Sequence, residues 1–116
     1  MPRVENKDFV TFNDGELTIC EVKNRNIVAT KAEGVRFGNQ TVGINRFWKA
    51  KVASSTVDRL VSIPMMQGVT TQNVCIIRGE QYKILQIQEK FDQSPPCLFL
   101  TLERIQTAYK DVREGA

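Results

Sequence analysis

NVCIIRGEQYKILQIQ, residues Asn73–Gln88, is the stretch that decides the fold class of this chain. Two runs rich in β-branched and aromatic residues flank a polar turn with a glycine at residues 78–80, and this pattern is typical of a β-hairpin. After Ile84 the apolar residues change from even to odd positions, so one regular alternation does not describe the second run. We therefore expect a strand that is covered on both faces or that carries a β-bulge near Leu85.

The segments on either side of this hairpin also have the character of short strands. VDRLVSIP, Val57–Pro64, is a β-rich run that ends at a proline. LFLTLER, Leu98–Arg104, alternates regularly, and its three leucines are expected to point inward. In FVTFNDGELTICEV, Phe9–Val22, an Asp-Gly pair separates two β-rich runs, which predicts a tight hairpin turn at residues 13–15. A further short strand is expected at residues 26–30.

One segment has helical rather than strand periodicity. In GINRFWKAKVA, Gly43–Ala53, apolar or long-stemmed side chains recur at positions i, i+3, i+4, i+7 and i+8, which form one face of a helix. We expect one short α-helix at about residues 43–53, whose aromatic pair plugs an open end or seam of the sheet. The predicted core anchors are Phe47, Trp48 and Tyr82.

Together these segments predict a mainly β fold, namely a small antiparallel β-barrel of about six to seven short strands with one short α-helix. A chain of 116 residues is expected to form a single domain, which we place at residues 1–104. The mostly polar residues 105–116 are expected to form a tail or a short helix.

Composition narrows the classes of function. The chain has no histidine, which removes the commonest general base and the commonest metal ligand. Its three cysteines are widely spaced and are expected to be buried free thiols. The glycine-rich stretch Lys31–Gly43 lacks the spacing of a phosphate-binding loop. We therefore expect no catalytic residue, no cofactor and no metal. The polar N-terminal residues do not predict a signal peptide, and no apolar run approaches the roughly 18 residues of a membrane helix.

Charge leaves a nucleic-acid interpretation open. The net charge is +3 and the basic residues are scattered, which is typical of a mixed solvated surface. Aromatic residues next to basic ones, such as Phe37 beside Arg36 and Tyr82 beside Lys83, would suit the stacking of single-stranded bases. The same aromatic positions also favour burial in a sheet.

The order of these elements resembles the small head–tail joining proteins of tailed bacteriophages, also called head-closure or head–tail adaptor proteins. The resemblance is carried by RFWKA (Arg46–Ala50), GEQYKI (Gly79–Ile84) and LTLE (Leu100–Glu103), in that order and at matching spacing. It covers roughly residues 34–104. Arg46 departs from the family pattern, in which an acidic residue is common at this position.

The resemblance implies a structural protein whose copies form a ring below the portal or its adaptor, close the DNA channel and provide a platform for the tail. The implied partners are further copies of the chain, the portal or adaptor protein, a tail protein and packaged double-stranded DNA bound without sequence specificity. The implied location is the head–tail interface of the virion, and the bacterial host cytoplasm during assembly. As a hypothesis, Lys31, Arg36 and Lys90, in expected long loops at residues 31–43 and 89–97, face the DNA and contact its phosphates.

Other interpretations stay open. The chain could be another neck or tail-completion protein, or a small barrel that binds single-stranded nucleic acid. An enzyme would need a deep pocket with converging carboxylates. The copy number of the ring, the oligomeric state of the free chain and the origin from an active phage or a remnant prophage are not decided by the sequence.

Overall fold

The computed structural model of the protein describes residues 8–40 and 58–113. Within these two ranges the chain contains nine strands and no helix. The strands are β1 (Asp8–Phe9), β2 (Gly15–Lys23), β3 (Asn26–Asn39), β4 (Arg59–Pro64), β5 (Val74–Ile77), β6 (Glu80–Lys90), β7 (Gln93–Ser94), β8 (Cys97–Arg104) and β9 (Lys110–Asp111). The expectation of a mainly β fold is confirmed. The helix expected at residues 43–53, with Phe47 and Trp48, lies outside the described residues.

The strands pair into a closed ring. In the large sheet the order is β2-β5-β6-β8-β4-β3-β9, and β2 also pairs with β3, so six strands follow one another around a circle. All pairings within the circle are antiparallel. β9 adds to β3 in parallel, and β1 and β7 form a separate parallel pair. Closing the ring removes most of the unpaired strand edges that an open sheet would expose.

The predicted hairpin at Asn73–Gln88 is confirmed as β5 and β6. Its turn consists of Arg78 and Gly79, which have φ angles of 52° and 80°. Two consecutive positive φ angles match the right-handed twist of the flanking strands, and glycine adopts one of them without strain. The predicted irregularity is also present, because the pairing of β6 with β8 shifts register between Ile84 and Gln86.

A second hairpin joins β2 to β3 and contains the longest strand. Its turn is formed by Asn24 and Arg25, again with positive φ angles of 53° and 64°. Along the hairpin the register shifts at three places, which gives β3 extra residues relative to β2 and bends it. The expected glycine-rich loop is therefore wrong for residues 31–39, which belong to β3. Gly34 lies in this stretch and has a φ of 66°, a conformation that allows the bent strand to continue.

The hairpin turn predicted at residues 13–15 is wrong. The Asp14 N–H donates to the Phe37 carbonyl oxygen at 2.9 Å, and the Asp14 carboxylate accepts the Asn39 N–H at 2.7 Å. Both bonds fasten this segment to the end of β3 instead of folding it back on itself. The segment before it continues to β7, where the Val10 N–H donates to a carbonyl oxygen of that strand at 3.0 Å.

The core lies inside the ring and is supplied by alternate residues of its strands. Its buried members are Leu17, Ile19, Phe37, Val61, Ile63, Cys75, Ile77, Tyr82, Ile84, Leu98, Leu100 and Leu102. The three leucines of β8 point inward as predicted. A smaller cluster of Cys20, Ile27 and Val74 is covered by Val22, Ile76, Ile105 and Tyr109. All three cysteines are buried free thiols, as the sequence predicts.

Candidate anion-binding cleft at the hairpin tip

A cleft of about 470 Å³ lies where the tip of the β2–β3 hairpin meets the rest of the ring. The hairpin turn contributes Asn24 and Arg25, and the loop before β5 contributes residues 71–73. On the other side the cleft is bounded by residues 83–85 of β6 and by Tyr109. We call this space the hairpin-tip cleft. Its walls come from four separate parts of the chain, which only the closed ring brings together.

A second, smaller cleft of about 280 Å³ adjoins it. Arg25, Lys83 and Tyr109 line both spaces, so these three side chains form the partition between them. The smaller cleft continues along the end of β8, where Glu103 lies directly opposite Lys83 in the pairing of β6 with β8. Cations therefore border both spaces, whereas the only carboxylate in the two linings belongs to the smaller one.

The charged side chains that line the hairpin-tip cleft, Arg25 and Lys83, are both cations. Glu103 lies opposite Lys83 in the strand pairing, but among the described residues no carboxylate oxygen forms an ion pair with Arg25 or Lys83. The rest of the lining is neutral: Asn24, Gln72 and Asn73 supply side-chain amides, Thr71 and Tyr109 supply hydroxyls, and Val22, Val74, Ile84 and Leu85 are aliphatic. Cationic side chains beside amide donors can bind phosphate or carboxylate oxygens of a ligand, because charge-assisted hydrogen bonds are the strong ones.

Two hydrogen-bond systems hold the walls of the cleft in place. In the loop before β5, the Thr70 N–H donates to the Asn73 side-chain oxygen at 2.9 Å, and the Asn73 N–H donates to the Thr70 carbonyl at 3.1 Å. On the opposite wall the Gln81 amide clamps the backbone of Tyr109: its nitrogen donates to the Tyr109 carbonyl at 3.0 Å, and its oxygen accepts the Tyr109 N–H at 2.7 Å. These hydrogen bonds fix the positions of two walls of the cleft.

Lys31 belongs to the loop wall rather than to a projecting loop. Its ammonium group donates to the Gly68 carbonyl at 2.6 Å and to the Asn73 side-chain oxygen at 3.3 Å. It also lies 4.0 Å from the carboxylate of Glu21. These contacts fasten the loop before β5 to β3 and engage the ammonium group of Lys31 at the surface.

The other two cations predicted to face DNA lie elsewhere on strands. Arg36 is exposed on β3 and donates to the Phe12 carbonyl at 3.3 Å. Lys90 ends β6, lies 3.8 Å from Asp92 and stands over the Phe99 ring at 5.4 Å from its centroid. The structure does not gather Lys31, Arg36 and Lys90 into one loop, and their contact with DNA stays a prediction.

The sequence reasoning missed Arg25 as a site residue, and it considered Lys83 only as the basic neighbour of Tyr82. A cation in the polar turn between two β-rich runs was a visible signal for Arg25, since such a turn projects from a sheet. For Lys83 the local signal pointed to the wrong partner, because Tyr82 is buried in the core while Lys83 lies on the outward face of the strand. Only the ring brings it to the tip of the other hairpin.

A second surface is apolar. A groove of about 560 Å³ runs between the chain that follows β4 and the end of β6, lined by Met65, Met66, Val69 and Ile87. Phe91 stands at this groove and is 63% exposed. Apolar side chains gathered around an exposed aromatic ring are typical of a surface that contacts another macromolecule. Methionine side chains adapt to differently shaped partners.

The described residues hold no group of three or more histidine, cysteine, aspartate or glutamate side chains placed to bind a metal ion. Nor does this part of the chain contain a helix long and apolar enough to cross a membrane. The fold and the cleft define a mainly β protein with a ring of six strands and a cationic cleft at a hairpin tip. Comparisons with protein-family models, with curated proteins and with solved structures find no match.

Proposed function

We propose that this chain is a head–tail connector of a tailed phage or prophage, whose copies form a ring below the portal or adaptor. The ring closes the DNA channel after packaging and provides the attachment platform for the tail. The ring of strands within each copy corresponds to the small β-barrel of that family. Its role is structural, and its site is a set of contact surfaces rather than a catalytic centre.

One observation carries this proposal. The elements that resemble the connector family are separated in the sequence, yet they become neighbours in the sheet. VDRLVSIP supplies β4, Asn73–Gln88 supplies β5 and β6, and LFLTLER supplies β8. These four strands pair in the order β5-β6-β8-β4, so two of the three motifs that carry the resemblance, GEQYKI and LTLE, lie in one continuous antiparallel run of four of the six ring strands. The third motif, RFWKA, lies outside the described residues. A chance likeness of scattered motifs would not require them to be adjacent.

The hairpin-tip cleft supplies a contact for DNA. No described carboxylate forms an ion pair with Arg25 or Lys83, so both cations can contact backbone phosphates. Contacts of this kind do not depend on base sequence, which suits DNA held in a channel. The apolar groove beside Phe91 supplies a surface for a protein partner in the neck, such as the adaptor or the tail protein.

A second candidate function is supported by the position of Tyr109. Its half-buried side chain lines the cleft between Arg25 and Lys83, and an aromatic ring beside two cations is the arrangement on which single-stranded bases stack. The two functions predict different behaviour of the free chain. A single-strand binder holds an oligonucleotide as a monomer, whereas a connector binds DNA weakly until a ring presents many copies of the cleft.

Electron microscopy of a lysate from the parent phage lacking this gene tests the connector. We expect tailless heads, many of them emptied, beside complete free tails, and the wild-type gene supplied in trans should restore joined particles. Normal infectious particles from the deletion would refute the proposal.

A charge-reversal pair tests the DNA contact separately. Arg25→Glu with Lys83→Glu should leave heads and tails assembled but lower the DNA retained in the heads. Arg78→Glu is the matched control, because Arg78 is also a turn cation with positive φ but does not line the cleft. For the second candidate, fluorescence anisotropy of a labelled oligonucleotide should show monomer binding with a salt slope that falls by about 0.7 for each lost phosphate contact.

A further inference from the structure

The chain after β8 consists of an exposed arch and a docked end. The Ile105 N–H donates to the Gln81 carbonyl at 2.8 Å and so ends the ring. The next three residues, 106–108, are exposed and rise over the smaller cleft. The chain then returns to the protein at Tyr109, and we call residues 109–113 the strap.

The strap is held by contacts to residues far away in the sequence. β9 pairs in parallel with the first two residues of β3, and the Val112 N–H donates to the Ile27 carbonyl at 2.9 Å. The Arg113 guanidinium donates to the Thr30 hydroxyl at 2.9 Å and contacts the Cys20 sulfur at 3.5 Å. The receiving surface therefore consists of the hairpin tip and Gln81, and it contains no residue of the arch.

The strap also contains interactions between its own residues. Asp111 and Arg113 form an ion pair of 2.7 Å within the strap, and the Asp111 carboxylate also accepts the Arg113 N–H at 3.1 Å. This pairing lowers the pKa of Asp111 and raises that of Arg113. A segment with internal bonds loses less freedom when it docks, so it can dock as a unit.

We propose that the strap exchanges between copies, so that residues 109–113 of one copy occupy the hairpin tip of a second copy. Every contact of the docked strap can form identically in this way, because the receiving surface is independent of the arch. The arch is the hinge: it is exposed, it is not paired with any described strand, and straightening it breaks none of the bonds that hold the ring. Exchange of an identical element is a low-cost way to join copies.

The geometry restricts how neighbouring copies sit. The four residues from Ile105, which stays bonded to Gln81, to Tyr109 span at most roughly 14 Å when fully extended. The β8 end of the donor must therefore lie within that distance of the acceptor's hairpin tip. Donation in one direction from each copy to the next is a head-to-tail contact, which closes into a ring when the rotation permits. In this respect the inference rests on the proposed connector function, for which it supplies the joint.

A complementation pair tests the exchange on purified protein. The acceptor chain is full length and carries Val112→Pro with Arg113→Ala, which remove the N–H donor to Ile27 and the bonds to Thr30 and Cys20, so its own strap cannot be donated. The donor chain is full length and carries Gln81→Ala with Thr30→Lys, which removes the clamp and repels Arg113, so it cannot receive a strap. Each chain alone should sediment as a monomer, and a mixture should form a one-to-one heterodimer. A mixture that sediments as two monomers would overturn the proposal.

A disulfide test uses the complete chain. Asn26 and Lys110 are partners in the pairing of β3 with β9, so Asn26→Cys with Lys110→Cys reports on strap docking, and the three native thiols are buried. Exchange predicts a ladder of cross-linked copies whose share rises about tenfold with a tenfold rise in concentration. Lys110→Cys alone is the matched control. Cross-linking confined to single chains at every concentration would overturn the exchange but leave the connector proposal standing, because copies could join through another surface.

Discussion

The Gln81 clamp offers a direct perturbation of the strap. Gln81→Ala removes both side-chain hydrogen bonds to the Tyr109 backbone, at 3.0 and 2.7 Å, while it leaves the backbone pairing of β5 with β6 intact. We expect the strap to open more often in this variant. The ring itself should persist, because Gln81 is partly exposed and contributes no atom to the main core.

The size of the effect follows from the two bonds. A neutral hydrogen bond contributes about 0.5–1.5 kcal/mol net, so the pair stabilises the docked strap by about 1–3 kcal/mol. Since about 1.4 kcal/mol corresponds to a tenfold change in an equilibrium, the open population should rise by about 5- to 150-fold.

The chemical reactivity of the Cys20 thiol measures the population in which the strap is open. Its thiol is 0% exposed, and Arg113 and Tyr109 of the strap contribute to its cover. Burial raises the pKa of this thiol, and opening the strap should expose it to a maleimide or disulfide reagent. When reclosing is fast compared with labelling, the labelling rate follows the open population, so the rate at Cys20 should rise by the same factor.

The other cysteines and a second glutamine serve as controls. Cys75 and Cys97 are also fully buried, and the strap does not cover them, so peptide mass analysis should show their labelling rates little changed. Gln86→Ala is the matched variant, since this glutamine lies on the same strand and its side-chain oxygen has no described hydrogen-bond partner. An unchanged labelling rate at Cys20 would contradict the reasoning, because it would mean that the Gln81 hydrogen bonds do not hold the strap closed. An equal rise at all three cysteines would also contradict it, because it would indicate global unfolding.

Burial raises the pKa of Cys75 from 9.0 to about 12. Above pH 9 the unfolded chain therefore loses this proton while the folded chain keeps it. The free energy of unfolding should then fall by about 1.4 kcal/mol per pH unit up to pH 12. Cys75→Ala should flatten that slope in urea titrations between pH 8 and 11, and equal slopes would be evidence against the assignment. Gly38→Ala places its new methyl against the Thr11 backbone carbonyl and should lower the free energy of unfolding by about 1–3 kcal/mol or more. Gly79→Ala meets no atom within 4 Å, so it should cost only the roughly 1–2 kcal/mol of a non-glycine residue at positive φ, and a larger loss there than at Gly38 would reverse the expected order. Gln86→Leu removes a buried side-chain oxygen without a hydrogen-bond partner, and the free energy of unfolding should stay equal or rise by up to about 1 kcal/mol, whereas a marked loss would mean that the amide has a structural role.

The parts of the fold that depend on neighbouring residues were predictable from the sequence. The β5–β6 turn carries its own glycine, and β8 carries its own alternation, so each could be placed without knowledge of its partners. The bulge near Leu85 was visible because the parity of the apolar residues changes there.

The parts that failed depend on distant partners. Asp14-Gly15 has the composition of a hairpin turn, but the Asp14 carboxylate finds the Asn39 N–H, and this tertiary bond decides the local conformation. The glycines after Lys31 resemble a loop, yet bulges absorb the irregularity and pairing with β2 extends the strand. β9 was likewise not predicted, because its sequence is polar and the strand is held by backbone hydrogen bonds to β3 rather than by apolar burial.

The cleft was also beyond the sequence, for the same reason. Its two cations lie on different hairpins, and nothing in the spacing of Arg25 and Lys83 indicates that closure of the ring brings them together. A surface that forms only when distant strands pair has no local sequence pattern from which it could be predicted.

The order of the strap and its receiving surface along the chain has a consequence during synthesis. Asp111 follows its partner Ile27 by about 84 residues (111 less 27). At about 5–20 residues per second, the ribosome needs roughly 4–17 s to make that stretch. Each nascent hairpin tip therefore exists for seconds before the segment that will occupy it. On a polysome, where several chains grow from one messenger side by side, a finished neighbour can reach that vacant tip first, and the first joints between copies can form at the site of translation.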